Sequence, residues 1–388
     1  MAQALYGNGS IIIELKNHQP VFQLIDYITK QNYLCGAYIL PNSATKLPYA
    51  KFAFLNFNGI INIRLRTYIF RISIYLKRCF VYMMYNSILE AIGNTPMVKI
   101  NRLNPNPAVP MYAKLEGFNP TGSIKDRIAL KMIEQAEEEG TLTKDKIIIE
   151  ATSGNTGIGL TMIGVVKGYR VQIVMSSAVS IERQRMIKAF GGEIILTDPT
   201  KGTDGAIIET RRLLALNPEK YFNPNQFSNQ YNKLAHYSTT AEEIWQQTEG
   251  KVTHMVSSLG TSGTLMGVGM RLRERNPNIQ IIEAQPVKGH YIQGLKSMEE
   301  AIVPAIYDKT KIDESILIDT EEAFEMARQL VLQEGIFIGM SSGAAMIAAR
   351  TIVEKLTSGL VVVILPDRGE KYLSTSLFQE QGEEADAQ

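Results

Sequence analysis

Lys125 is the residue of this chain best placed to do covalent chemistry. It stands in the run Asn119-Pro120-Thr121-Gly122-Ser123-Ile124-Lys125-Asp126-Arg127, directly ahead of Ile128, Leu130, Met132 and Ile133, whose spacing reads as a helix. The first N–H groups of a helix lack partners and make its start electropositive, which opposes an ammonium. With Arg127 nearby and partial burial, the amine pKa is expected to fall, leaving a nucleophile that can condense with a carbonyl. Most lysines near helix starts are solvated surface charges, so Lys125 by itself does not make an enzyme.

Two glycine-rich loops add weight. After the expected strand Ile147-Ile148-Ile149-Glu150 comes Thr152-Ser153-Gly154-Asn155-Thr156-Gly157, opening a helix; small and hydroxyl side chains beside unpaired N–H groups suit a carboxylate or another small anion. A Gly-rich turn with a Ser/Thr cap is the plainer alternative. Its glycines run G-x-x-G-x-G, which is not the dinucleotide fingerprint. The second loop, Ser258-Leu259-Gly260-Thr261-Ser262-Gly263-Thr264, follows residues 252–257 and forms an anion nest suited to a phosphate. It lacks the lysine of a Walker A motif, and at 117–122 Ser123-Ile124 replaces the required Lys-Ser/Thr. A third candidate, Gly339-Met340-Ser341-Ser342-Gly343, reads alone as a helix cap.

The elements that must position these loops alternate. Short β-branched runs at 97–100, 111–115, 146–150, 170–175, 193–197, 252–257, 279–284 and 360–365 are separated by helical periods such as 157–166, 181–190 and 320–333. Alternation of this kind predicts an α/β fold with mostly parallel sheets. The units between 146 and 197 are expected to form a small sheet of their own, the later strands another. Ligands of open α/β sheets sit at the carboxyl ends of strands, where both clear loops fall.

The joint set Asn-Pro-Thr-Gly-Ser-Ile-Lys-Asp-Arg, Thr-Ser-Gly-Asn-Thr-Gly, Gly-Thr-Ser-Gly-Thr and Gly-Met-Ser-Ser-Gly resembles, in order and approximate spacing, the cysteine synthase family of fold type II pyridoxal-phosphate enzymes. The likeness runs from about Tyr85 to Phe378. It implies two three-layer α/β domains, the larger from 85–129 and 236–378 and a smaller mobile one from 130–235. It implies that Lys125 carries pyridoxal 5′-phosphate as a Schiff base, that Gly260, Thr261, Ser262, Gly263 and Thr264 hold the phosphate, that Asn155 meets the ring oxygen and that Ser341 faces the ring nitrogen. Thr152, Ser153, Asn155, Thr156 and Gln226 would grip the substrate carboxylate. The implied reaction is β-replacement, making L-cysteine from O-acetyl-L-serine and sulfide or thiosulfate, in a cytoplasmic homodimer. Gly-Ser-Ile-Lys-Asp-Arg, Ser180-Ile181-Glu182-Arg183 and the run 365–372 look more like the B-type enzymes. Cystathionine β-synthase and an O-phosphoserine-dependent synthase are the alternatives within the fold, and a non-catalytic binding partner is the alternative outside it. Lys296 falls near where phosphoserine-using relatives place an arginine, but is expected to be a solvated surface charge.

Composition agrees. The chain has 388 residues, 45% of them hydrophobic, enough for two domains. Forty basic against 39 acidic residues give no field that would gather nucleic acid or an anionic membrane, so the expected partners are small molecules. Cys35 and Cys79 lie in the first quarter, which leaves the remainder without a thiol nucleophile, thiolate metal site or disulfide framework and fits a reducing cytosol. His236, His254 and His290 lack metal-binding or triad spacing, and no metal is expected. Residues 1–84 differ: they hold few acids and end in a basic, aromatic run whose cations interrupt every window of the roughly 20 apolar residues a span requires. Globular patterning starts after Met83-Met84, so Met84 is a candidate native start, with the part upstream of it as a translated leader; a genuine domain or targeting arm is the alternative. The polar, acidic end, 379–388, is expected to be disordered.

Overall fold

The computed structural model describes residues 84–152 and 154–378, together with the backbone of five short strands upstream. Those strands are β1 (Gln3–Gly7), β2 (Ser10–Leu15), β3 (Gly36–Ala37), β4 (Phe52–Ala53) and β5 (Ile60–Leu65). β2 pairs antiparallel with β1 and parallel with β5, and β3 pairs antiparallel with β4. They belong to a unit that ends at Met84, and a second unit begins at Tyr85. The expected disorder of 379–388 lies outside the described residues.

The second unit contains two sheets. A four-stranded sheet has the order β10 (Glu193–Thr197), β9 (Arg170–Ser176), β8 (Ile147–Ala151), β11 (Tyr221–Phe222), all parallel. A six-stranded sheet has the order β14 (Glu314–Ile318), β13 (Gln280–Pro286), β12 (His254–Ser258), β15 (Val361–Leu365), β7 (Met111–Leu115), β6 (Met97–Lys99), parallel except for the edge strand β6. The separation of early from late strands follows the sequence expectation, with β6 and β7 joining the later group. Strands β8 and β15 are buried along their whole length. Continuous Ile and Val suit a strand covered on both faces.

Helices supply that cover. Against the four-stranded sheet lie α1 (Lys125–Glu138), α2 (Asn155–Lys167) and α3 (Ile181–Ala189), which share one apolar cluster through Ala129, Ile133, Ile158, Ile163 and Ile187. Ala206 and Ile207 of α4 (Gly202–Leu216) cover the opposite face. The six-stranded sheet is enclosed by α6 (Thr240–Gln247) and α7 (Gly263–Arg275) on one side and by α8 (Thr320–Gln329) and α9 (Met340–Lys355) on the other. Helix α5 (Gln230–Ser238) sits against α1 and α7. Each sheet is thus the middle of three layers. The helix expected over 320–333 stops at Gln329 and gives way to a π-helical turn, Leu330–Glu334, closed by Gly335 at φ +70°. Strands β11 and β14 were not expected; β11 is two residues long, and β14 is a half-exposed edge.

Candidate active site

Lys125 is the first residue of α1, and the chain reaches it through an anchored turn. Gly122 adopts φ +77°, open at little cost only to glycine. Ile124 N–H donates to Pro366 O at 2.8 Å, and Ser123 bridges Asp367, so the loop leans on the end of β15. Asp126 accepts the Thr121 N–H at 2.7 Å and also its hydroxyl, closing the helix start. Burial raises the Asp126 carboxyl to about 6 in spite of those bonds. The Lys125 amine borders the cleft, and desolvation lowers its pKa against the attraction of Asp367 and Glu116. The opposing like charge is Arg183 and not the sequence neighbour Arg127. Arg127 instead bonds Glu116 and Glu243, which accounts for the difference from the sequence expectation.

The 152–156 loop lies between β8 and α2, at the carboxyl end of a parallel strand. Gly154 has φ +127°, and a Cβ there would come within 2.5 Å of Arg183 Cδ, so two independent constraints select glycine. Thr152 and Thr156 are buried. Thr156 Oγ1 donates to Gln226 Oε1 at 2.7 Å, and Gln226 Nε2 donates to Ala151 O at 2.8 Å. Gln226 therefore joins the loop. Asn155 donates from Nδ2 to Asp367 at 2.6 Å. Ser153 lies outside the described residues.

The 260–264 loop leads from β12 into α7. Ser262 takes φ +68°, and its buried hydroxyl has no hydrogen-bond partner among the described residues. A Cβ on Gly260 would lie 2.6 Å from Gly294 O, and one on Gly263 only 1.8 Å from Asn232 Oδ1. Open N–H groups at a helix start, a partnerless buried hydroxyl and glycine-only spacing fit a bound phosphate group. Thr264 Oγ1 stands 3.3 Å from His236 Nε2, whose other ring nitrogen meets Thr240. Burial, followed by Arg127 and Lys125, holds that imidazole neutral by lowering its pKa well below the usual value. Ser341 lies in the first turn of α9 and is 5% exposed.

One cleft collects Lys125, Thr152, Asn155, Thr156, Gln226, Gly260, Thr261, Ser262, Thr264 and Ser341 on its walls. Gly263 starts the helix behind them. Sequence reasoning passed over Thr203, Phe227, Tyr291 and Gln293, which also line it. Nothing local distinguishes them, because they arrive from three separate segments, Tyr291 and Gln293 sharing one. Asn232 was missed as well: its Nδ2 donates to Gln226 O at 2.7 Å and to Thr261 Oγ1 at 3.0 Å, tying the two loops together. Lys296 departs from the expected surface role. It is 8% exposed, lines the cleft, pairs with Asp204 at 2.9 Å and stands over the Phe227 ring. Packing against an aromatic face and a carboxylate from α4 compensates for its burial. Among the described residues no group of His, Cys, Asp and Glu could hold a metal ion, and no helix is long and apolar enough to cross a membrane.

Residues 88–367 match the family model described as pyridoxal-phosphate dependent enzyme. A cysteine synthase of Aquifex aeolicus is 47% identical over 303 residues, 76% of this chain and 93% of that protein. Cysteine synthase B of Escherichia coli is 41% identical over 296 residues, 76% of this chain and 97% of that one. The crystal structure of a cysteine synthase from Entamoeba histolytica superposes with a TM-score of 0.72 at 43% identity, covering 80% of this chain and 95% of that one.

Proposed function

The chain belongs to the pyridoxal-phosphate dependent enzymes, in their cysteine synthase branch, and from that premise we propose that it makes L-cysteine by β-replacement on O-acetyl-L-serine with sulfide. The observation that carries the proposal is the convergence in one cleft of a desolvated lysine, a phosphate-shaped loop and a carboxylate-shaped loop. When bound, pyridoxal 5′-phosphate supplies an aldehyde for an amino group and a ring that accepts electrons as the α-proton and the β-substituent depart.

Each residue has a task derived from its place. The loop of Gly260, Thr261, Ser262, Gly263 and Thr264 holds the phosphate through N–H groups and hydroxyls at the start of α7. Lys125 would hold the cofactor's aldehyde through its amine, and its Nζ would be the base placed to take the substrate's α-proton. Asn155 would bond the ring oxygen. Ser341 would offer the ring nitrogen a hydroxyl, which would stabilise ring protonation less than a carboxylate does. Thr152, Ser153, Thr156 and Gln226 grip the substrate carboxylate and draw the four-stranded layer toward the other, expelling water. In this reading residues 130–235 form the mobile domain and residues 85–129 with 236–378 the fixed one, and resemblance supports a cytoplasmic homodimer.

Borohydride treatment of the holoenzyme followed by peptide mass spectrometry is expected to find the modification on Lys125, and Lys125→Ala is expected to abolish cysteine formation. An unmodified Lys125 overturns the proposal. A second reading, an O-phosphoserine substrate, draws on Lys296 lining the cleft. Its charge is offset by Asp204, so the acetyl ester is expected to be preferred when both esters are assayed together.

A further inference from the structure

A second amine lies beside the site without a task in the reading above. Lys371 is 1% exposed and belongs to the turn Gly369–Tyr372, close behind β15. Its Nζ donates to Asn155 Oδ1 at 3.0 Å and to Gly122 O at 3.1 Å. The two acceptors come from the segments that matter most: Gly122 is three residues before Lys125, and Asn155 opens α2. The same C-terminal segment supplies Asp367, whose Oδ2 accepts from Asn155 Nδ2 at 2.6 Å.

The Asn155 amide is therefore held at both ends by groups of opposite hydrogen-bonding character. A carboxylate only accepts and an ammonium only donates, so a single orientation of the amide satisfies both. A 180° flip would set Nδ2 against an ammonium and Oδ1 against a carboxylate. Burial lowers the Lys371 amine to about 8; Asp367, Asp126 and Glu370 oppose that fall, and Arg183 assists it. Such a buried cation persists because its surroundings use it.

We propose that Lys371 is a positioning residue: through Asn155 and Gly122 it sets the orientation of the ring-binding amide and its spacing from the Lys125 loop, and thereby how firmly the cofactor ring is held. The proposal rests on the cofactor reading above and goes beyond it.

The test is a mutant cycle on the holoenzyme, read by the pyridoxal 5′-phosphate dissociation constant and the visible absorbance band. Lys371→Met is expected to weaken cofactor retention about 10- to 100-fold, the range for a lost hydrogen bond to a charged group, and to shift the band. Lys371→Arg, which still donates to both acceptors, is expected to restore most of it. In an Asn155→Ala background the Met substitution is expected to lose most of its effect, because its route is already cut. Unchanged retention in Lys371→Met, or full additivity with Asn155→Ala, overturns the proposal. If Lys371→Met does not fold, Lys371→Gln carries the same cycle. A wild-type chain that shows no band with added cofactor fails the reading of function itself, a result distinct from normal wild-type binding with unaffected variants.

Discussion

Two buried polar clusters flank Lys125, and they are built on different terms. On one side Arg127 donates to both oxygens of Glu116 and both of Glu243, while Lys114 Nζ spends its three donors on Thr95 O, Glu243 and Gln247. On the other, Asp367 Oδ2 takes Asn155, the Tyr372 hydroxyl and, at 3.5 Å, Arg183, while its Oδ1 has no hydrogen-bond partner among the described residues. The first cluster is saturated and joins α1 to α6. The second ties α3 to the segment after β15: Arg183 comes from α3, and it also donates to the Tyr372 hydroxyl and to Gln293, which lines the cleft. Saturation rigidifies, whereas a carboxylate oxygen left over permits rearrangement. The difference teaches that the lysine is clamped from behind and adjustable from the front.

The strongest way to break this contrast is Arg127→Met. It strands Glu116 as an uncompensated buried charge and leaves Glu243 with Lys114 alone, and a stability loss of about 3–5 kcal/mol is expected in urea unfolding. A loss as small as that of a surface mutation would mean the cluster is not a clamp. Next comes acid. Burial alone would raise the Glu243 carboxyl, but Arg127 and Lys114 bring it down to about 2. A depressed carboxyl stabilises the fold above its unfolded pKa of about 4.5 and ceases to do so as pH falls toward 2. The expected contribution is about 3 kcal/mol, and Glu243→Gln should flatten the stability curve between those limits even as it lowers the plateau.

The front cluster should behave otherwise. Asp367→Asn keeps the shape but removes the charge facing Arg183 and Lys371; a stability cost of roughly 1–3 kcal/mol is expected, with a visible change in cofactor absorbance. Tyr372→Phe removes one donor of several, so about 1 kcal/mol of stability is expected to go. Its sharper sign is a raised KM for the amino acid substrate with kcat less altered, measured by steady-state kinetics. If Tyr372→Phe unfolded the protein while Arg127→Met left it intact, the assignment of clamp and adjustable side would be reversed.

The alternation of strands with helices was legible because β8, β9, β13 and β15 carry Ile- and Val-rich runs, as strands covered on both faces do. The loops at 152–156 and 260–264 were legible for a related reason: glycine at a positive φ or at a backbone contact has no substitute. Strand β14 was not, since a half-exposed edge carries too weak an alternation, and β11 is too short to have a period. Lys296 was misread because the sequence contains no sign that Asp204 and Phe227 converge on it. Asn232 and Lys371 left no local trace for the same reason.

Local order along the chain thus determined the layers, the lysine and the anion-receptive turns, each of which depends on neighbours within a few residues. Tertiary structure alone decided which charges those elements meet. Arg183, and not Arg127, opposes Lys125 because the guanidinium next in sequence is already bound to two carboxylates from distant helices and turns. Ionic partnership falls off with distance through space, and separation along the chain does not encode it.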